Sequence, residues 1–107
     1  MKRIKYLMIG FIFLALLVPL TANYRFDGGS GTESDPYHVS YDQQLYEVRN
    51  HPGSYFIQVA AIDLSNLNNW EPIGNGNNPF SGSYDGNGFV ISNLRIDRGN
   101  ENYVGLF

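Results

Sequence analysis

The chain has 107 residues and no cysteine, and its seven Lys and Arg against ten Asp and Glu give a net charge of −3. From residue 23 onward the charge is −6, since that part has four arginines, no lysine and all ten acidic residues. A disulfide framework and a lipid-modified N-terminal cysteine are therefore excluded, and we expect neither nucleic acid nor anionic lipid as a partner. A module of this size buries only about 60% of its unfolded surface, so we expect it to have structural neighbours.

The first 22 residues have the layout of a secretory signal peptide. An apolar run over residues 6–20 follows three basic residues, Lys2, Arg3 and Lys5, which is the charge order and length of such a peptide. Ala22 supplies a small residue for cleavage, although Leu20 is larger than the usual residue at that place. We expect residues 1–22 to be removed and residues 23–107 to be exported. The alternative is an uncleaved membrane anchor, because the uncharged stretch continues to Tyr24.

The exported part is rich in Gly, Asn, Asp, Ser and Pro, which predicts a β protein with many turns. One helix is predicted over residues 41–50, with Ser40 as its cap and with Leu45 and Val48 on one face. It ends at the turn residues His51-Pro52-Gly53. So short a helix is not stable alone, and we expect it to cover the open end of a sheet stack.

The best strand is predicted over residues 55–64, where β-branched and aromatic residues are frequent. The alternation of apolar residues changes phase within this segment. Ile57 and Val59 stand at odd positions, whereas Ile62 and Leu64 stand at even positions, so a regular strand would turn the two pairs to opposite faces. A bulge at Ala60-Ala61 would return both pairs to the core.

A tight turn is predicted at residues 85–88, between strands over residues 80–84 and 89–91. The sequence there is Asp-Gly-Asn-Gly, and these residues tolerate the positive φ of a tight turn. The turn favours one fold in particular, an antiparallel β-sandwich fragment.

An internal repeat favours a different fold. The apolar and polar residues of 62–67 recur 27 positions later as Phe89, Ile91, Ser92, Asn93 and Leu94. In both copies, an apolar spacing of three follows the strand, which indicates a corner. Corners that repeat at this period are typical of a parallel β-solenoid, with Asn66 stacked near Asn93. The expected core is Ile62, Leu64, Ile91, Leu94 and Ile96. The antiparallel β-sandwich stays as the alternative.

A longer series of motifs resembles the opening of bacterial GLUG-repeat exoproteins over nearly all of residues 23–107. The motifs, in order, are residues 26–33 (FDGGSGTE), 35–37 (DPY), 44–45 (QL), 62–65 (IDLS), 70–74 (WEPIG), 80–82 (FSG), 85–88 (DGNG), 91–94 (ISNL) and 104–107 (VGLF). The resemblance implies an all-β fold, the opening rungs of a right-handed parallel β-helix with a short N-terminal capping helix. It also implies a secreted or surface-attached protein. Such proteins include adhesins and the non-catalytic part of immunoglobulin A proteases, and the fold itself confers no activity.

The chain departs from that family in three places. Ala61 stands where relatives often have Asp, and Phe89 where they often have His, so a polar or metal role is not expected at either position. The sequence also stops at Phe107, before the last Gly of the Gly-Leu-hydrophobic-Gly signature. We therefore interpret residues 23–107 as an N-terminal β-helix module, from either a truncated reading frame or a longer product.

The sequence favours no catalytic residue, metal site or cofactor. The two imidazoles, His38 and His51, lack the neighbouring groups of a triad or a zinc site. The single Gly-rich stretch over residues 28–35 is expected to lead into the first rung, because calcium sites of this kind need stacked copies. A polysaccharide lyase would use a basic residue, and residues 23–107 have no lysine. A fragment of a polysaccharide-active enzyme is therefore the least favoured hypothesis.

The remaining candidates for binding are aromatic residues, whose faces can stack on sugar rings. Trp70 and Tyr84 are the candidate carbohydrate ligands, although Trp70 is favoured as a core residue. The leading hypothesis is a structural or adhesive surface module without catalytic activity, and a carbohydrate-binding module is the alternative. The expected partners are further rungs of a longer chain, a second copy through the edge at residues 103–107, and surface glycans. A membrane is expected as a partner only if the signal segment stays uncleaved.

Overall fold

The structure is a computed structural model that describes residues 25–102 and 104–107. The predicted signal segment and its cleavage site lie outside these residues. The elements of the described part are, in chain order, β1 (Tyr37–Val39), α1 (Asp42–Glu47), a 3-10 helix (Val48–Asn50), β2 (Tyr55–Gln58), β3 (Ile62–Asp63), β4 (Ser83–Asp85) and β5 (Ile91–Ser92). None of the helices in the described ranges is long and apolar enough to cross a membrane.

The strands form two small parallel sheets. The first has the order β1-β2-β4, and the second consists of β3 and β5. In the first sheet, Tyr37 is in register with Phe56, and Phe56 with Tyr84. All pairs between these named strands are parallel. Successive segments of the chain therefore lie side by side in the same direction.

The register between β3 and β5 differs from the predicted one. Ile62 pairs with Ile91, 29 positions further along the chain, whereas the 27-residue repeat predicted that it pairs with Phe89. The Asn93 side chain donates a hydrogen bond to Oδ1 of Asp63 at 2.8 Å, so the predicted stack of Asn66 near Asn93 is replaced by this contact. A shift of two residues keeps every side chain on its own face of the sheet, so the apolar pattern alone does not distinguish the two registers.

The alternation across residues 55–64 is also different from the predicted one. Phe56, Gln58, Ile62 and Leu64 are all buried, whereas Val59 is 36% exposed. One parity therefore faces the core throughout, and the bend at Ala60 does not change it. The sequence pattern misleads because a polar residue, Gln58, occupies a core position.

A tight turn is present one residue later than predicted, at residues 86–89, but it does not make a hairpin. The Phe89 amide donates to the Gly86 carbonyl at 2.9 Å, and Asn87 and Gly88 have φ of 53° and 77°. Two central residues with positive φ make this a type I′ turn. The turn connects β4 to β5, which lie in different sheets, so it works as a corner.

The predicted helix divides into α1 and the 3-10 helix that follows it. Its N-cap is Tyr41 without a side-chain cap. The predicted cap, Ser40, instead donates its backbone amide and its hydroxyl to Oε1 of Gln44, at 2.7 and 3.1 Å. Gln44 is buried and donates to the Arg25 carbonyl and to Asp27 Oδ1, both at 2.8 Å. The helix is thus fastened to the segment that precedes β1.

The core lies between the sheets and α1. Its buried apolar members are Val39, Leu45, Val48, Phe56, Ile62, Leu64, Trp70 and Ile73. Of the predicted core, Ile62 and Leu64 are fully buried, and Ile91 and Ile96 pack against it as partly buried residues. Leu94 is 43% exposed, so its assignment to the core is wrong. It follows Asn93, whose φ of 61° turns the chain away from the sheet.

Candidate functional site

Trp70 lies at the centre of a set of backbone contacts. Its ring is buried, with 1% of the residue exposed, and its Nε1 donates to the Leu106 carbonyl at 3.0 Å. Its backbone amide donates to the Arg95 carbonyl at 2.8 Å, and its carbonyl accepts from Nε of Arg98 at 3.1 Å. Its faces are covered by protein and not free for a sugar, so the structure places this predicted ligand residue in the core.

An arginine fastens the end of the helix to the Trp70 segment. The Arg49 guanidinium lies 3.6 Å from the Tyr46 ring centroid and 5.3 Å from that of Trp70. It donates to the carbonyls of Tyr46 and Glu71, at 2.8 and 2.9 Å. Burial lowers the pKa of Arg49 from its usual value. Because hydrogen bonds and aromatic faces surround the charge, we interpret this arginine as a structural residue.

Aromatic rings stack along the first sheet in a ladder, which consists of Tyr37, Phe56 and Tyr84, one ring from each strand. The centroid distances are 5.7 Å between Tyr37 and Phe56, and 6.4 Å between Phe56 and Tyr84. The Phe107 ring lies beside the last ring of the ladder, tilted and 5.6 Å from Tyr84. At the other end, Phe26 stacks on Tyr37 at 4.6 Å. These distances are typical of favourable aromatic pairs.

Tyr84 is held in the ladder by a buried amide. Its hydroxyl donates to Oε1 of Gln58 at 3.1 Å, and burial raises the pKa of Tyr84. The Gln58 side chain, in turn, donates to the carbonyls of Ala60 and Val90 at 2.9 and 3.2 Å. Gln58 therefore joins β2 to β4 and to the segment before β5, and both groups of its side-chain amide hydrogen-bond within the fold.

Beside β4 lies an open cavity of about 600 Å³, which we call the aromatic groove. It is lined by Ile73, Gly74, Asn75, Gly76, Pro79, Phe80, Tyr84 and Phe107. The loop before β4 forms its wall, and it bends at Gly74, whose φ is +82°. Oδ1 of Asn75 stabilises this loop by accepting hydrogen bonds from the backbone amides of Asn77 and Asn78, at 2.9 and 2.8 Å. The groove thus presents apolar surface on a loop with a defined shape.

The two edges of the first sheet differ. The outer edge of β1 is covered by the chain itself, since Asp27 N donates to the His38 carbonyl at 3.0 Å and His38 N donates to the Gly28 carbonyl at 2.9 Å. The outer edge of β4 pairs with no other strand among residues 25–102 and 104–107. The aromatic groove therefore adjoins an open strand edge.

Polar groups gather in a second place, at the corner that follows the second sheet. A shallow recess there is lined by Asn68, Asn69, Arg95 and Asp97. The histidines lie elsewhere, and His51 contacts Glu47 through Nε2 and Oε2 at 3.3 Å. Within the described ranges, no three residues of the types His, Cys, Asp and Glu are placed to hold a metal ion.

The sequence analysis did not name two of the aromatic residues of the groove, Phe80 and Phe107, as ligand residues, although both lie in motifs of the GLUG resemblance. The predicted ligand residue Tyr84 does line the groove, whereas the other, Trp70, does not. No local motif identifies the groove, because its wall comes from residues 73–80 and its floor from β4 and the segment before Phe107.

Comparison with known proteins gives two relatives. The chain is 35% identical over 123 residues to a Gly-rich membrane protein of Evansella cellulosilytica, in an alignment that covers 100% of the chain and 14% of that protein. It is 43% identical over 96 residues to Halomucin of Haloquadratum walsbyi, covering 82% of the chain and 1% of that protein. The chain thus spans only a small part of the length of these relatives. No family model matches it, and neither does any solved structure, so the GLUG resemblance stays a prediction.

Proposed function

We propose that this chain is a non-catalytic structural module of a secreted or cell-surface protein, built as the opening rungs of a right-handed parallel β-helix. The observation that carries the proposal is the in-register parallel stacking in both sheets. Phe56 and Tyr84 are 28 positions apart and adjacent, and Ile62 and Ile91 are 29 apart and adjacent. Chain segments of nearly equal length that return to the same place are what a solenoid requires.

The relatives support a surface location and a structural role. One is named a membrane protein and the other Halomucin, and neither name is that of an enzyme. The predicted signal peptide directs the chain to the same compartment. The side-chain amides of Gln44 and Gln58 are buried and hydrogen-bond to the backbone and to neighbouring side chains, as expected for structural residues of a scaffold. As partners, we propose further rungs of a longer chain or a second copy.

The alternative function is carbohydrate binding in the aromatic groove. It is favoured by one observation, the position of Tyr84 beside Phe80 and Phe107 in an open cavity. Aromatic faces of this kind suit the apolar faces of sugars. A glycan array tests it: binding that Phe80→Ala abolishes and that Phe89→Ala, at an exposed site outside the groove, leaves unchanged would favour this alternative over the purely structural role.

The stacking can be tested with a pair of cysteines, since the natural chain has none. We expect a disulfide between Cys residues in the double variant Asp63→Cys, Ser92→Cys, because neighbouring strands place register partners about 4.8 Å apart and disulfides span this distance. The control is the double variant Asp63→Cys, Val90→Cys, whose two positions are 27 residues apart and would be partners in the 27-residue register. It should stay reduced, since Val90 is two residues away from the observed partner of Asp63, which places the two Cα atoms about 8 Å apart.

The readout is the mobility of the oxidised chain on a non-reducing gel, checked by mass spectrometry. Both variants lose the Asp63 carboxylate, so this change cancels in the comparison. A disulfide in the control alone would favour the 27-residue register, and a disulfide in neither would contradict parallel stacking of β3 and β5.

Export can be tested separately. When the chain is expressed with its own first 22 residues, we expect an extracellular product whose first residue is Asn23, because the basic start, the apolar run and the small residues converge at Ala22. Intact-mass measurement of the medium and of the membrane fraction decides it. A product that keeps Met1 in the membrane fraction would replace secretion with anchoring, and a product that stays in the cytoplasm would overturn the proposed location.

A further inference from the structure

We infer that the free edge of β4 binds an extended, uncharged peptide segment as a fourth parallel strand, with an aromatic side chain of the peptide stacked on Tyr84. This inference rests on the proposed function, because it takes the first sheet as a stack that can be lengthened. It goes further in naming the side of the module that binds, the direction of the bound strand and the side chain that it needs.

The first support is the unpaired backbone of β4. Ser83 N donates to the Ser54 carbonyl at 3.1 Å, so the backbone groups of Ser83 point towards β2. Neighbouring residues in a strand direct these groups to opposite sides, and the N–H and C=O of Tyr84 therefore point to the open edge. An edge strand with free donors and acceptors is a template for another strand.

The second support is that the opposite edge of the sheet is already covered. Asp27 and Gly28 make the two hydrogen bonds to His38 that a strand beyond β1 would make. Among the residues that the structure describes, the open edge of this sheet is therefore that of β4.

The third support is the aromatic ladder, which defines the bound residue. Each strand of the first sheet places an aromatic ring at the same position, namely Tyr37, Phe56 and Tyr84. The groove lies over Tyr84, where the next ring of the ladder would stand, and Phe80 and Phe107 form its sides. A fourth strand in the same register would fill this apolar space with its own aromatic side chain.

Charge selects against an acidic partner. Asp85 ends β4 on the exposed face, and like charges directly opposite each other on neighbouring strands are destabilising. In the existing pair, the residue opposite Asp85 is the neutral Ile57. A second copy that offers its own β4 in parallel register would place one Asp85 beside another, so we commit to an uncharged segment with the pattern of β2.

The probe is a synthetic peptide with the sequence of residues 52–59, Pro-Gly-Ser-Tyr-Phe-Ile-Gln-Val. Its aromatic residue, which corresponds to Phe56, would stand opposite Tyr84. In a parallel pair of that register, the peptide amide that corresponds to Ile57 donates to the Tyr84 carbonyl, and the amide that corresponds to Phe56 points away. N-methylation at these two positions therefore gives a blocking peptide and a matched control with the same composition.

The experiment titrates these peptides into the ¹⁵N-labelled exported chain. We expect saturable shifts of the amide signals of residues 83–85 with the parent peptide and with the control. We expect at least tenfold weaker binding with the blocking peptide and with a peptide that has Ser at the aromatic position.

Three results would overturn the inference: shifts with none of the peptides, shifts centred on Asn68 and Arg95 in the polar recess, or equal binding of the two N-methylated peptides. Association of the chain with itself that excludes the peptide would overturn it in favour of a second copy. The cysteine pair in β3 and β5 keeps the two proposals separate. If that disulfide forms and no peptide binds, the stack stands and the β4 site fails.

Discussion

Replacing Trp70 with Ala should lower the free energy of unfolding by about 3–5 kcal/mol, the range for removal of a large buried aromatic side chain. The ring is among the largest fully buried side chains of the described residues. Its loss would also remove the donor to the Leu106 carbonyl and one face of the site that holds Arg49. Since domains of this size have a stability of only about 5–15 kcal/mol, the variant should unfold at a much lower urea concentration.

The matched control is Phe89→Ala, because Phe89 is also aromatic but 43% exposed. We expect a change below about 1 kcal/mol there, in the range typical of exposed positions. The measurement is urea denaturation of the exported chain, followed by circular dichroism. Equal midpoints for the two variants would show that Trp70 is not a core residue, and would reopen its role in ligand binding.

Trp70→Phe separates packing from hydrogen bonding. The phenyl ring keeps much of the apolar volume but has no donor for the Leu106 carbonyl. The carbonyl keeps the Ile73 amide as a donor, so the substitution removes one hydrogen bond, at a cost of about 0.5–1.5 kcal/mol. This variant should therefore fall between the wild type and Trp70→Ala. In the amide spectrum, we expect its largest changes in residues 104–107 and in Ile73, whose backbone amide also donates to Leu106.

Local features of the fold follow from the sequence more closely than the register does. The type I′ turn is predictable, since Asn87 and Gly88 are the residues that accept positive φ most readily. The helix is predictable because Leu45 and Val48 are spaced for one face. Parallel strands depend instead on contacts between residues 19 to 29 positions apart, and no local propensity encodes such a distance.

Polar residues in the core account for the largest misinterpretation. A pattern of apolar residues places Ile57 and Val59 inside, since both are strong strand formers. The structure buries Phe56 and Gln58 instead. The buried Gln58 amide is itself satisfied by three hydrogen bonds, which it donates to the carbonyls of Ala60 and Val90 and accepts from the Tyr84 hydroxyl. These hydrogen-bond partners come together only when segments that are distant in the sequence pack against each other.

The candidate site was predictable only in part, for the same reason. Tyr84 is an aromatic residue in a strand, and its candidacy rested on residue type alone. Its place in the groove depends on Phe107 returning to within 5.6 Å of it. The return is produced by the Leu106 carbonyl, which accepts hydrogen bonds from Ile73 N and from Trp70 Nε1. A long-range contact of this kind leaves no signal in either segment.

Leu64→Ala and Leu94→Ala form the pair that separates the observed packing from the repeat-based one. Leu64 is fully buried and Leu94 is 43% exposed, although both stand in the predicted core. We expect Leu64→Ala to lower the free energy of unfolding by about 2–5 kcal/mol, the cost of a buried leucine with the cavity that it leaves. Leu94→Ala should cost less than about 1 kcal/mol, because water already reaches its side chain. The two variants remove the same atoms, so their difference in urea midpoint reports burial alone. Similar losses at both positions would mean that Leu94 is covered in solution, and would support the 27-residue register over the 29-residue one.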